Sequence, residues 1–366
     1  MNIVIGLDIG GTNSRAMIAR VEHGSLMPDP DFPGLVFGKA ASKAELRTFV
    51  GELLGRLEGK GRIVGAAIAL AGPVSHRREV TMTNWLEPRD IRLEEFVEWG
   101  FPAGRTVLVN DMEAGCYGLV KHLEEDKTAS SAFERLTVDG DVSSQDVSNQ
   151  EIATRGMPHG NRVFIAPGTG LGAAGIIEGE RIGGVYPIAV ELQHTPMPIL
   201  NQSQGIVVNW LRDQKRIMHP SWDDIISGRG LVHTYRALRS AVSASMTLAK
   251  DSDVTVGVAD PAAAVAKAGV RGEDVVAEQA LSVFYTCAGY FCQLMALGFQ
   301  AFGGVFIGGK STIKNREFIT KSALLEAFLD NAPQRSLLAR FPVYLVKEED
   351  LNPDGALWLG FDVSKE

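Results

Sequence analysis

Ile3-Val-Ile-Gly-Leu-Asp8-Ile-Gly10-Gly11-Thr12-Asn13-Ser-Arg15-Ala-Met-Ile-Ala19 opens the chain with two apolar runs on either side of a Gly-Gly turn. Short apolar runs joined by such a turn read as a β-hairpin. The same device returns later, where Val163-Phe-Ile-Ala166 leads through Pro167-Gly168-Thr169-Gly170 into a second run, Leu171–Ile177. Two Gly-Thr hairpins, each opening a region, predict an internal duplication with weak sequence memory. Outward from the first hairpin, Ser42 and Glu45 have the spacing of a capping box, and Leu46, Phe49, Val50, Leu53, Leu54 and Leu57 recur on one helical face. Ile63–Leu70 and Val107–Val109 read as aliphatic strands, the latter followed by a helix from near Ala114. After Pro261 the pattern predicts helix through Leu297, strand Val305–Gly308, helix Thr320–Asn331, strand Val343–Val346 and a final helix from Asp354. Strands and helices mixed in this way indicate an α/β architecture. The segment Glu124–Asn161 is polar, rich in Ser, Asp and Gln and without periodicity, and reads as an extended surface insertion.

The chain has 366 residues, enough for roughly two domains with cores of their own. Its 36 Lys plus Arg against 44 Asp plus Glu give a net charge of −8, which argues against a nucleic-acid binder dependent on a basic stripe. Cys116, Cys287 and Cys292 form no CxxC pattern and no disulfide framework, so a reducing compartment, the cytoplasm, is expected. The opening segment lacks a basic n-region, and its apolar run is interrupted by Asp8, so no export signal is expected. The uncharged stretch Leu281–Gly309 is long enough to suggest a membrane span. Its Tyr290, Gln293, Gln300 and Gly303-Gly304 instead fit a buried helix, a turn and a core strand, so no membrane partner is expected.

Several segments could carry chemistry. In Asp8-x-Gly10-Gly11-Thr12-x-x-Arg15 the glycines allow backbone N–H groups to approach phosphate oxygens, Thr12 supplies a hydroxyl, and a strand-end acid can hold Mg²⁺ or its water shell. The plainer alternative is a glycine hairpin with Asp8 as a turn acid. Asn110-Asp111 follows a buried strand, where α/β folds place their ligands; Asp111 could be a general base for phosphoryl transfer or the N-cap of the next helix. Gly168-Thr169-Gly170-Leu-Gly172 would be a second phosphate cradle. Glu191-Leu-Gln-His194 sets a carboxylate and an imidazole in one short segment, suited to hydrogen-bonding adjacent sugar hydroxyls, although on the pattern alone a structural His194 is the commoner reading. Gly304-Val-Phe-Ile-Gly308-Gly309-Lys310-Ser311 satisfies the Walker A pattern in letters only. A P-loop needs a loop where Val305–Ile307 reads as a strand, while Gly308-Gly309 would suit the flat face of a nucleobase.

Taken together, GLDIGGTNSR at the start, AIALAGPV (67–74), MTNW (82–85), VLVNDMEAG (107–115), APGTGLG (166–172), VELQH (190–194), ISGRGL (226–231) and GGVFIGG (303–309) resemble the bacterial-type glucokinases of the hexokinase and actin-like ATPase superfamily. The zinc-binding Cys/His motif of the repressor-like sugar kinases is absent, which favours the zinc-free branch. The resemblance implies a two-lobed, ribonuclease H-like α/β fold with duplicated domains and a central cleft. The expected division is a small domain over 1–111, completed by a C-terminal helix at about 352–366, and a large domain over 112–351 that carries the 124–161 insertion. It implies ATP-dependent phosphorylation of D-glucose at the 6-hydroxyl, usually by a homodimer, with ATP and Mg²⁺. Asp111 would be the general base, and Asn110, Glu191, His194 and Asp223 would bind the sugar. Asp8 would position Mg²⁺ through water; Gly10, Gly11, Thr12, Asn13, Gly168, Thr169 and Gly170 would hold phosphates, with Gly308 and Gly309 near adenine. Three departures stand out. Leu192 and Gln193 replace two glycines of the family's sugar segment, the third acid is Asp rather than Glu with Asp224 beside it, and the insertion has no counterpart. A kinase of another hexose, amino sugar or polyol, a non-catalytic sugar sensor on this fold, and a P-loop enzyme built on Lys310 are the competing readings.

Overall fold

The computed structural model describes residues 1–10, 13–83, 85–86, 88–124, 132–137, 158–179, 184–243 and 253–365. The chain divides into two units, Met1–Glu125 with Pro187–Ala189 and Asp350–Glu366, and Asp126–Tyr186 with Val190–Glu349.

In the first unit, β1 (Asn2–Ile9) and β2 (Asn13–Glu22) pair antiparallel around the glycine turn, with Ile9 opposite Ser14 and Asp8 opposite Arg15. β2 also carries β3 (Ser25–Pro28) and β4 (Val36–Lys39). On the other side of β1 lie β5 (Arg62–Leu70) and then β9 (Thr106–Asn110), all three parallel, so the sheet runs β3-β2-β1-β5-β9. A small sheet of β6 (Val74–Ser75), β7 (Glu79–Thr81) and β8 (Asp90–Arg92) leads into the short helix α2 (Leu93–Glu98). Parallel strands covered on both faces need near-continuous apolar sequence, and β1 is buried at every residue after Asn2. One face packs on α1 (Lys43–Leu57) through Leu46, Phe49, Val50, Leu53 and Leu57. Ser42 caps that helix by accepting from Glu45 N–H, while the Glu45 carboxylate accepts from Ala41 N–H, one residue earlier than a strict capping box.

The other face is covered by α3 (Asp111–Glu124) and the C-terminal helix Leu351–Val363, whose Leu357 and Phe361 meet Val4 and Ala19. This packing requires backbone to touch backbone. A Cβ on Gly355 would collide with the Ala114 carbonyl oxygen, and one on Gly6 with the backbone of Leu357.

In the second unit, β11 (Arg162–Pro167) and β12 (Leu171–Gly179) form the second hairpin, and β14 (Gly304–Ile307) and β15 (Val343–Val346) follow β11 in parallel. With β13 (Gly184–Ala189) and β10 (Phe133–Arg135), the order is β10-β15-β14-β11-β12-β13. Apart from β10, this is the order of the first sheet, so the duplication survives as topology. The helical layer comprises α4 (Gln202–Lys215), α5 (Gly228–Ser243), α6 (Pro261–Val270) and α7 (Val275–Phe299). Asp260 caps α6 by accepting from Ala263 N–H with Pro261 in the first turn, and Asp274 caps α7 by accepting from Ala277 N–H. Among the described residues α7 alone is long and apolar enough to cross a membrane. It is the central core helix of this unit, burying Leu281, Phe284, Tyr285, Ala288, Phe291, Cys292 and Met295 before Gln300 turns the chain into β14.

Several expectations are corrected. The helix after β9 begins at Asp111 rather than near Ala114, and it packs in the first unit, so that unit extends past the expected boundary at 111. The 124–161 segment is not all surface loop: Phe133–Arg135 pairs with β15, Phe133 is fully buried, and Glu134 is ion-paired with Arg316. The helix expected over Thr320–Asn331 is two pieces, Arg316–Ile319 and Leu324–Leu329, and the final helix starts at Leu351.

Candidate active site

The sequence candidates fall into two groups, one in each unit. In the first, the β1 to β2 turn is closed by Gly10 N–H donating to Asn13 O at 3.0 Å, while Gly11 and Thr12 lie outside the described residues. Asp8 sits at the end of β1, 6% exposed, and Arg15 directly across the ladder donates to its Oδ2 from Nε at 2.9 Å and Nη2 at 2.6 Å. The same guanidinium donates from Nη1 to Asp350 Oδ1 at 2.9 Å. Asp8 Oδ1 accepts no hydrogen bond from the described residues.

Asn110 ends β9, buried, and its amide is engaged at both atoms. Nδ2 donates to Gly72 O at 3.0 Å, and Oδ1 accepts from Met112 N–H at 2.9 Å and Glu113 N–H at 3.3 Å. Asn110 therefore caps α3, the role that Asp111 had as its alternative reading. Asp111 is the first residue of the helix and half-buried, with Oδ1 2.9 Å from Met112 N. Met112 N–H is thus shared between the Asn110 and Asp111 side chains at the start of the helix. Two residues on, Glu113 pairs with Arg77 at 2.7 Å, and Tyr117 O–H lies 3.3 Å from the same guanidinium. Burial pushes the Glu113 carboxyl up against the opposing pull of Arg77.

In the second unit, Gly168–Gly170 form an exposed turn closed by Gly168 N–H donating to Gly170 O at 2.8 Å. Asp223 lies beneath it, 8% exposed, with Oδ1 accepting from Leu171 N–H at 2.6 Å and Oδ2 from Arg229 Nη2 at 2.8 Å. Both oxygens of the expected third sugar acid are thus engaged at the glycine turn. Asp224 is engaged as well, accepting from Ser221 N–H and Oγ–H at 2.9 Å each. Gly228 N–H donates to Gly168 O at 2.8 Å, which ties the start of α5 to the same turn.

Glu191 and His194 flank a 3₁₀ turn, with Glu191 Oε2 3.4 Å from His194 Nε2, and both side chains are about half exposed. Gln193 between them is buried and donates from Nε2 to Glu191 Oε2 at 2.7 Å. The Gly308-Gly309 segment approaches its own backbone closely. Gly308 N–H donates to Ile165 O, and at Gly309, with φ of +94°, a Cβ would lie 2.7 Å from Pro167 O. Lys310 is exposed, 3.6 Å from Glu349, and Val305–Ile307 is a fully buried strand, so the Walker-like letters do not form a phosphate loop.

Sequence reading did not assign roles to Arg15, Gln193, Arg229 or the Arg77–Glu113 pair. The hairpin register alone pairs position 8 with position 15. No local pattern announces the others, because their partners are set by loops. Among the described residues no cluster of His, Cys, Asp and Glu could hold a metal by itself.

Two α/β units of one strand order, each with a glycine turn after its first strand, are the plan of the actin-like ATPase fold, which sugar kinases share. The sequence profile of the glucokinase family matches residues 5–359, and the chain belongs to that family; it is a phosphotransferase with an alcohol acceptor. A glucokinase of Chelativorans sp. (strain BNC1) is 28% identical over 353 residues, covering 94% of this chain and 86% of the relative. The fold is shared with the crystal structure of a glucokinase from Balamuthia mandrillaris in complex with glucose, at TM-score 0.79 and 23% identity over 98% of this chain and 93% of that one. It is also shared with a ROK family glucokinase from Streptomyces griseus in complex with glucose and AMPPNP, at TM-score 0.59 and 20% identity over 98% of this chain and 99% of that one.

Proposed function

We propose that the protein transfers the γ-phosphoryl group of ATP to the 6-hydroxyl of D-glucose, with Asp111 accepting the hydroxyl proton. The observation that carries this reading is an ionisable carboxylate at the first residue of α3, beyond the end of a buried parallel strand, in a chain of the glucokinase family. Phosphoryl transfer is mostly positioning and charge stabilisation, so one base, backbone donors and cations are sufficient. Asn110 holds α3 in place through Gly72 and retains one amide hydrogen for a sugar hydroxyl. Glu191 and His194 supply an acceptor and a donor for further hydroxyls. Gly10 and Asn13, and Gly168 to Gly170, are the candidate phosphate cradles, with Gly308 and Gly309 as the adenine candidates. Asp223 supports the second cradle from below, since Leu171 N–H and Arg229 take its oxygens.

Asp8 suits Mg²⁺ held through water, because Arg15 takes one carboxylate oxygen and leaves the other. When bound, the ion screens charge on the phosphates. Work as a cytoplasmic homodimer belongs to this reading too, and it agrees with three free, buried cysteines as far as the compartment is concerned.

The test is ATP-dependent phosphorylation across glucose, mannose, fructose, N-acetylglucosamine and glycerol, with Asp111→Asn in parallel and the mass of the protein measured in solution. Turnover confined to glucose and lost in the variant is the expected result. Turnover on another acceptor moves the error to Glu191–His194, and binding of sugar without turnover on any donor turns the reading into a sensor.

A further inference from the structure

Gln193 is an unusual residue to find buried in a sugar-binding segment. Its amide is buried beside a half-exposed carboxylate, and the residue is hydrogen-bonded at two atoms while a third stays unpaired. Nε2 donates to Glu191 Oε2 at 2.7 Å, the backbone oxygen accepts from Asp223 N–H at 3.1 Å, and Oε1 is buried with no hydrogen-bond partner among the described residues. The orientation of the amide is decided by Glu191, because an ionised carboxylate only accepts and so requires the NH₂ end. Turning the amide over would set oxygen against oxygen. Against the cost of the orphaned Oε1 stands the bond that fixes the Glu191 side chain.

Without that bond Glu191 would be a half-exposed side chain with free rotamers, held only by His194 at 3.4 Å. With it, Oε2 is occupied, and Oε1 is the oxygen left to accept from a ligand hydroxyl. We infer that Gln193 is a positioning residue for hexose binding: it aims the Glu191 carboxylate, and through its backbone oxygen ties that aim to Asp223 under the glycine turn. The inference rests on Glu191 being a sugar ligand, as proposed above.

The measurement is steady-state kinetics of Gln193→Met and Gln193→Ala beside Glu191→Ala and the double variant Glu191→Ala/Gln193→Met, each checked for an unchanged thermal midpoint. Methionine keeps the volume and removes the donor, so it separates aiming from packing. A hydrogen bond to a charged group is strong enough that its loss should raise KM for glucose about tenfold. Turnover at saturating glucose should stay within about twofold, and KM for ATP should not move. In the Glu191→Ala background the Met substitution should add nothing further, since there is no carboxylate to aim. Wild-type KM in Gln193→Met overturns the inference, as does an undiminished effect in the double variant. If Glu191→Ala itself leaves KM for glucose unchanged, the assignment of Glu191 as a sugar ligand fails and the inference falls with it. If Glu191→Ala raises KM while Gln193→Met does not, the inference alone fails.

Discussion

The two glycine hairpins share a backbone plan and differ in where each finds its acid. In the first, acid and cation are cross-strand neighbours: Asp8 on β1 and Arg15 on β2, both largely buried, with Asp350 as a second anion on the same guanidinium. In the second, the strand runs into Pro167, and the acid comes from a distant loop. Asp223 reaches under the turn to Leu171 N–H and is balanced by Arg229, whose side chain is 57% exposed. The lesson is that duplication preserved strand order, which depends on backbone hydrogen bonding, while each unit acquired its charges separately. An Asp–Arg pair serves both turns, in two different dielectric surroundings.

The largest effect should come from outside both hairpins. Asp111→Asn keeps the shape of the helix start and removes the base, so turnover should fall roughly 10³-fold with KM for glucose little changed, measured by a coupled kinetic assay. A variant that keeps most of its turnover would transfer the base role elsewhere. Next, the two Asp–Arg pairs should separate in urea unfolding. Arg15→Ala removes a largely buried cation that makes two hydrogen bonds to Asp8 and should cost about 3 kcal/mol, whereas Arg229→Ala removes a half-exposed one from an Asp223 that keeps its bond from Leu171 N–H and should cost below about 1 kcal/mol. Equal losses would mean that burial does not distinguish the hairpins.

A smaller, pH-dependent difference is expected from the second unit. His233 on α5 is 9% exposed, and its imidazole pKa is lowered to about 4, first by burial and then by Lys215, Arg229 and Arg236, with Asp224 opposing. A histidine whose folded value lies below its unfolded one stabilises the fold fully above its ordinary range. That contribution is lost as pH falls from about 6.5 toward 4, where the unfolded chain takes up the proton first. Unfolding free energy should slope downward over that window, and His233→Gln should flatten the slope. The smallest effect belongs to Lys310→Ala, for which activity within about twofold of wild type is expected because β14 forms a strand where a P-loop needs a loop. Loss of activity there would revive the Walker reading.

Much of this was legible from residue order alone. Both hairpins, the α1 face, the core helix in the uncharged stretch and the strands read as Val107–Val109 and Val343–Val346 follow from periodicity and turn chemistry, which act over a few residues. Asp111 was legible as a strand-end acid; the capping role offered as its alternative is filled by Asn110, since Asn and Asp cap almost equally well. β10 was illegible: three residues in a polar segment carry no period, and only the exposed edge of β15 makes them a strand. Gln193 looked like a mere departure in a sugar loop until its amide was found beneath Glu191.

Local pattern and hydrogen-bonding rules, which operate within a turn or two of chain, were enough for most of the elements, the duplication and the candidate list. Which partners the carboxylates take was settled by long-range packing. Asp8 meets Arg15 across a ladder, Asp223 meets Leu171 from 52 positions away, and the Gly355 contact with Ala114 spans most of the chain. Such pairings depend on how loops close in space, a quantity that no local spacing encodes.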